Sequence, residues 1–436
     1  MNIKRAVLAT AMSTVIALPT AANEELRAQI ATGAATVEQK VIGWRRDIHA
    51  HPELGNRETR TAALVAKHLK ALKLEVTTGV AHTGVVGVLR GGKPGPVVAL
   101  RADMDALPVT EPEGLPFAST VRTTFNDQET GVMHACGHDA HVAMLMGAAE
   151  VLAGMRRELP GTIKFIFQPA EEGAPRGEEG GAELMVKEGV LEGDVKPEAI
   201  FGLHVWPRDA GHLYVRPEGI MASSDRLYIT VHGSQTHGSQ PWNGVDPITV
   251  SAQIIIALQT IVSRQVDLTR GPAVISIGSL HGGIRHNIIP DTVELVGTIR
   301  TLDENMQQDI WDRIRTTVQH VAQSAGATAD VVIDPHAPVL KNNAALLDRM
   351  TPALNWAAGA DAVHDVTPVT PGEDFAFYAN RIPAVFLFLG INKPGVTQEQ
   401  AAPNHSPLFY VNEDALITGV RTLSGLAVDY LSQAPE

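Results

Sequence analysis

Thr162-Ile163-Lys164-Phe165-Ile166-Phe167 runs into Gln168-Pro169-Ala170-Glu171-Glu172-Gly173. The first part is rich in β-branched and aromatic residues and is stopped by Pro and Gly. It reads as a buried strand that ends on adjacent carboxylates. Outward from it the same grammar repeats. Val85–Leu89, Val97–Leu100 and Ala199–Val205 are apolar runs of strand length, and Asp139–Ala153 is a helix with few breakers. Asn23–Arg46 and Thr59–Leu72 are helical, separated by a His- and Pro-rich loop that includes Ile48-His49-Ala50-His51-Pro52. Strands alternating with helices predict an α/β fold, a mostly parallel central sheet flanked by helices. Such sheets bind ligands beyond the carboxyl ends of their strands, which is where Glu171 and Glu172 fall.

The pattern changes near Met221. Asp225–Val231 alternates like a half-buried strand, Ala273–Leu280 and Val293–Arg300 are further strands, and Ile248–Val262 and Glu304–Ala322 are helices. This composition predicts a smaller α+β open-faced sandwich. After His336 the first style returns with helix Ala345–Ala358, strand Ala384–Leu389 and a closing helix from about Asp414. With 436 residues the chain is too long for one ordinary core. The order predicts a domain of residues 222–333 inserted into a discontinuous domain of residues 23–221 and 334–436.

Residues 1–22 read as a secretory signal: Lys4 and Arg5, then an apolar stretch Ala6–Leu18, then small residues suited to cleavage after Ala22. That stretch is shorter than the roughly 20 residues that span a bilayer. The expected mature protein is periplasmic or extracellular, with no membrane span. A net charge of -13 argues against nucleic acid as a partner. The single cysteine, Cys136, cannot form an internal disulfide, so in an oxidising compartment it is either buried and inert or in use.

Four stretches carry chemistry. In Met133-His134-Ala135-Cys136-Gly137-His138-Asp139-Ala140-His141 a loop enters a helix, and a thiolate with an imidazole suits zinc-like ions. His134 and His141 read as supporting residues and Asp139 as a cap. Of Glu171 and Glu172, one can bind a metal while the other acts as general base; Glu178 and Glu179 read as a solvated loop. Gly202-Leu203-His204-Val205 sets a histidine in an apolar strand, and Asn404-His405-Ser406-Pro407 is a polar turn. Taken singly, each has an ordinary explanation: packing, a satisfied core histidine, a solvated turn. Together they supply enough ligands for two metal ions and a base. Nucleotide-binding fingerprints are absent, since Gly84-Val85-Val86-Gly87 and Gly91-Gly92-Lys93 lack the required spacing.

These stretches resemble the di-metal amidohydrolase and exopeptidase family of aminoacylases, hippurate hydrolases and indole-acetyl-amino-acid hydrolases. Further matches in order are Arg45-Arg46-Asp47-Ile48-His49, Pro52-Glu53-Leu54-Gly55, Arg101-Ala102-Asp103-Met104-Asp105, Gly233 through Pro247, Asn287-Ile288-Ile289-Pro290-Asp291, Gly297-Thr298-Ile299-Arg300 and Glu373-Asp374-Phe375. The resemblance implies two divalent ions per subunit (Zn, Mn, Co or Ni), with Cys136 between them and His138, Glu172, His204 and His405 completing their shells. It implies that Glu171 takes a proton from the attacking water and passes it to the leaving amine. It implies that the inserted domain is a lid and the surface of a homodimer or larger homo-oligomer, with His237 steadying the oxyanion across subunits. Asn287 and Arg300 match residues near the substrate carboxylate, although Arg300 serves equally well as support of the lid sheet. Trp242 departs from the pattern, standing where many relatives carry His. The implied activity is hydrolysis of N-acyl-amino acids. A dipeptidase or carboxypeptidase on the same scaffold is the nearest alternative, and a non-catalytic periplasmic binding protein the alternative of another class.

Overall fold

The computed structural model describes the backbone of residues 21–433 and side chains from residue 23 onward; the signal-peptide expectation lies almost wholly outside these residues. In chain order, the strands of the large sheet begin with β1 (Glu75–Val80), β2 (Gly84–Arg90), β3 (Lys93–Asp103), β4 (Pro160–Gln168), β5 (Ala199–Trp206) and β6 (Leu213–Val215). The small sheet follows with β7 (Ser224–His232), β8 (Ala273–His281), β9 (Thr292–Thr301) and β10 (Thr328–Ala337). The large sheet is then completed by β11 (Val363–Asp365) and β12 (Ala384–Gly390). The eight-stranded order is β1-β2-β4-β3-β5-β12-β6-β11, and its centre, β4-β3-β5-β12, is parallel throughout. The α/β expectation holds.

The central strands are buried on both faces, which is why they read as continuous apolar runs. Phe165 and Phe167 face one core and Ile166 the other, as do Leu203 and Val205 against Ile200. The larger core is roofed by α1 (Ala21–Ala50), α2 (Thr59–Ala71), α3 (His138–Gly154), and two later helices, Ala344–Ala358 and Leu416–Ser432. The expected loop at Ile48-His49-Ala50 is instead the last turn of α1. The helix continues to Ala50 and stops before His51, the residue whose helical conformation Pro52 disfavours.

The small sheet, ordered β8-β9-β7-β10, is antiparallel and carries two helices, Pro247–Arg264 and Glu304–Ser324, on one face. Their apolar stripes meet Leu227, Ile229, Leu295 and Ile299 in a separate core. The helix Pro247–Arg264 is long and apolar enough to cross a bilayer by composition alone, but Val250, Ile254, Leu258 and Ile261 are buried in this core. Chain entry to and exit from the small domain lie side by side, because Glu218–Met221 pairs with Leu340–Asn342.

Candidate metal centre

The candidate ligands and the carboxylates around them gather where the parallel strands end, as the topology requires. β3 delivers Asp103 and, just beyond it, Asp105. β4 leads to Glu171 and Glu172, β5 carries His204 near its end, and the segment after β12 brings in His405. Cys136 and His138 flank the start of α3.

Local backbone strain aims three of these segments. Gly137 adopts φ 92°, and a Cβ there would run into Val205 Cγ2, so only glycine lets Cys136 and His138 turn to the same point. Ala170 (φ 51°) turns the chain into Glu171, and His405 itself is at φ 69°. The His405 conformation is held by its N–H, which donates to the Ala135 carbonyl at 2.8 Å. Non-glycine residues in this region persist only where surroundings enforce them, and they gather at functional sites.

Among the described residues the candidate ligand atoms fall into several overlapping groups, two of which share one sulfur. Cys136, His138 and His204 make one triad and Cys136, Glu172 and His405 the other, each with its candidate ligand atoms within 4.8 Å of one another. Cys136 Sγ lies 3.4 Å from His204 Nε2, and His405 Nε2 lies 3.0 Å from Glu172 Oε1. The imidazoles are prepared as ligands. His204 Nδ1 donates to the Val205 carbonyl at 2.7 Å, leaving the Nε2 lone pair toward the sulfur. His138 Nδ1 donates to the Asp105 backbone carbonyl (2.8 Å) and lies 3.2 Å from Oδ1 of the same residue, while its buried Nε2 has no hydrogen-bond partner. A carboxylate or carbonyl behind a metal-bound imidazole is the usual arrangement for fixing the ring.

The charges ask for cations. Burial pushes the Cys136 thiol well up, and Glu172, Glu171 and Asp103 push it further. Burial also raises the Glu171 carboxyl well above the usual range, reinforced by Glu373, Glu172 and Asp374. Burial opposes charge on His138, yet Asp103 and Asp105 hold its pKa up at about 10. A pocket that draws a proton onto imidazole and withholds ionisation from thiol and carboxyl is one that divalent ions complete. Asn404 adds a donor, its Nδ2 lying 3.7 Å from Cys136 Sγ.

The profile of peptidase family M20/M25/M40 matches residues 99–429. The chain belongs to this family. It is 41% identical over 399 residues to thermostable carboxypeptidase 2 of Saccharolobus solfataricus, covering 90% of this chain and 96% of that protein. It is 38% identical over 392 residues to N-acetylcysteine deacetylase of Bacillus subtilis, covering 89% and 96%. Its fold matches the crystal structure of a dinuclear metal-binding M20 peptidase from Bacillus subtilis with a TM-score of 0.74 and 35% identity, over 91% of this chain and 99% of that one. The family expected from the motifs is thus shown, and the chain is an enzyme of the amidohydrolase and peptidase kind.

Within this M20 fold, further residues support the ligands. Val205 N–H donates to His141 Nε2 (2.8 Å), which fixes the His141 proton on Nδ1, facing Asp103 at 2.5 Å. Arg101 is fully buried and holds Asp103 (2.7 Å), Glu373 (2.9 Å) and Asp374 (3.0 Å). Asp105 also accepts from Glu172 N–H at 2.9 Å, tying the second triad to the first. Asp139 is no cap: Gly137 occupies that position, and Asp139 lies inside α3, taking Arg45 and His49 at 2.8 Å each. Arg101, Asp103, Asp105, Glu373 and Asp374 stood in the quoted motifs, but their roles depend on contacts between distant strands. Glu178, expected to be solvated, is indeed at the surface but accepts from Arg57 at 2.6 Å.

The lid residues divide. Arg300 lines the same cavity as Cys136, Glu171, Glu172, His204 and His405, a space of about 410 Å³. His237 and Asn287 lie elsewhere, together at a corner of the small domain. His237 is exposed, its Nδ1 accepts from Ser239 Oγ at 2.7 Å, and its strand pairs with Ile288–Ile289. Gly238 N–H donates to the Asn287 carbonyl at 2.9 Å, and Asn287 Oδ1 is buried without a partner.

Proposed function

We propose that this M20 enzyme hydrolyses the amide bond of N-acylated amino acids, with two divalent ions held by Cys136, His138, Glu172, His204 and His405. The observation that carries this reading is the pair of ligand triads meeting at Cys136 Sγ, with Glu171 beside them. When bound, such ions polarise an amide carbonyl and make water more acidic. Glu171, whose oxygens lack a strong partner in the protein, takes the proton of the attacking water and delivers it to the leaving amine. Asp105 and Asp103 hold the His138 and His141 rings against rotation. Arg300 lies within the cavity and pairs with the substrate carboxylate.

One feature favours acyl-amino acids over dipeptides. A dipeptide brings a free ammonium group on the acyl side, which needs an acidic acceptor. Each acid lining the cavity already has another task in this reading: Glu172 in a ligand triad, Glu171 as the base, and Glu373 and Asp374 against Arg101. His237 and Asn287 act on the partner subunit's site in this reading, which their absence from the lining of their own chain's cavity supports. The exposed apolar side chains Ile248, Ile256, Leu280 and Ile284 of the small domain supply a surface for such a partner. Export, read from residues 4–22, completes the proposal; N-terminal sequencing of the secreted protein beginning at Asn23 would support it.

The test is a hydrolysis screen of acetyl-, benzoyl- and indole-acetyl-amino acids beside plain dipeptides, with and without chelator. Acyl-amino acids are cleaved, chelator abolishes cleavage, and Glu171→Gln lowers kcat by about 10²–10⁴ while bound metal stays near that of the parent protein. Faster cleavage of dipeptides, or full turnover by Glu171→Gln, contradicts the assignment.

A further inference from the structure

The wall of the cavity contributed by the small domain has a distinctive charge. From β7, β9 and β10 it presents Arg226, Arg300 and His336, and no carboxylate. Arg226 stands opposite Thr298, so Arg300 is its diagonal neighbour on the same sheet face. Diagonal neighbours have Cα atoms about 7–8 Å apart, within joint reach of long side chains. His336 lies on the other flank, since Arg226 also stands opposite Asp334, two residues earlier in β10.

Two guanidinium groups side by side on one face repel each other unless anions lie between them. The protein supplies little relief here. Arg300 is half-buried and donates only to its own Ile299 carbonyl, at 3.1 Å. Asp225, one residue along β7 from Arg226, points to the other side of the sheet, where it accepts from Gln307 (2.8 Å) and Trp311 (3.0 Å). Arg226 has Asp334 at 3.7 Å, too far for a hydrogen bond and outside the cavity lining. Among the described residues, neither guanidinium donates a hydrogen bond to a carboxylate. One substrate carboxylate satisfies one of them and leaves the other unmatched.

We infer that Arg226, with His336 beside it, forms a second anion subsite next to Arg300, selecting N-acylated amino acids whose own side chain is acidic, aspartate or glutamate. The inference rests on the amidohydrolase reading above and deepens it by naming a substrate class. The two carboxylates of such an amino acid are separated by a few bonds, and two Arg forks converging from diagonal positions take one each. Arg226 is then a specificity-determining residue. Replacing the side-chain carboxylate by its amide keeps shape and size but offers an amino group to a guanidinium.

The test separates binding from turnover. Calorimetry on the full-length, zinc-loaded Glu171→Gln protein compares N-acetyl-glutamate with N-acetyl-glutamine. The acid binds about tenfold tighter or better, and the ratio shrinks as salt is raised. Arg226→Gln brings the ratio close to one, and Arg226→Lys, which keeps the charge but loses the fork, retains part of it. Arg313→Gln, on the outer helix of the small domain where Arg313 meets Asp309, leaves the ratio unchanged. Equal binding of acid and amide, or an Arg226→Gln variant that loses both ligands equally, overturns the inference. Should neutral acyl-amino acids be hydrolysed while the acid shows no advantage, the subsite falls and the amidohydrolase reading stands. If the acid binds preferentially and no acyl-amino acid is cleaved, the reverse holds.

Discussion

The two ligand triads meet at one sulfur and differ in nearly everything else. In the first, Cys136, His138 and His204 are all buried, and two of them stand on regular structure, the start of α3 and the strand β5. Behind them lie Asp105, which holds His138, and a separate hydrogen-bonded chain of His141, Asp103 and Arg101. In the second, Glu172 stands on a turn and His405 on a loop, with the His405 side chain 55% exposed. The inner triad is thus fixed by the core, whereas the outer one is fixed by local backbone geometry. Residues with few buried contacts open at low free-energy cost, so of the two proposed ligand sets one is built to hold and the other to adjust.

The most severe way to break the comparison is to remove what the triads share. Cys136→Ala loses metal from both positions and loses turnover at least as completely as Glu171→Gln; Cys136→Asp restores part of each. Full metal occupancy in the alanine variant, measured by elemental analysis, would remove the sulfur from the centre. A sharper cut takes the outer triad alone. Chelator strips the parent protein in two phases, and His405→Ala shows only the slow one, with one ion per chain lost beforehand. Single-phase release in both proteins would mean that the two positions are equivalent. Asp105→Asn acts on both sides, since this residue holds the His138 ring and the Glu172 backbone. It lowers metal affinity by about 10–100-fold, as expected of a group behind a ligand.

The smallest effect reaches the inner triad from behind. Burial disfavours charge on His49, but Asp139 and Glu111 raise its pKa to about 9. A group raised above its unfolded value near 6.5 contributes stability that is complete below that pH and is lost as pH climbs through about 9. His49→Gln therefore costs on the order of 3 kcal/mol at pH 6, and the gap from the parent protein narrows toward pH 9 in denaturant titrations. A gap that is constant with pH would mean that His49 is neutral in the fold.

Legibility in the sequence followed the same division. The inner strands β3, β4, β5 and β12 announced themselves because burial on both faces makes them continuously apolar. The edge strand β1 and the hairpin Arg122–Phe125 with Gln128–Gly131 are polar and mostly exposed, and no periodicity marked them. The ligands were recognisable as a set through ordered motifs, although His204 alone looks like any core histidine. Arg101 and Glu373 could be quoted but not assigned, because their meeting depends on residues 272 positions apart. Arg226 carried no motif signal; its place follows from the register of β7 against β9 and β10.

The paired segments Glu218–Met221 and Leu340–Asn342 have a consequence for engineering and descent. A unit entered and left through adjoining strands is a cassette: it can be exchanged without cutting any strand of the eight-stranded sheet. Transplanting a related small domain between these two segments would carry over a new set of wall charges and leave Cys136 and its neighbours in place. Substrate choice and the metal-binding half of the catalytic apparatus are, in this architecture, separately inheritable, provided the incoming domain keeps its counterpart of His237.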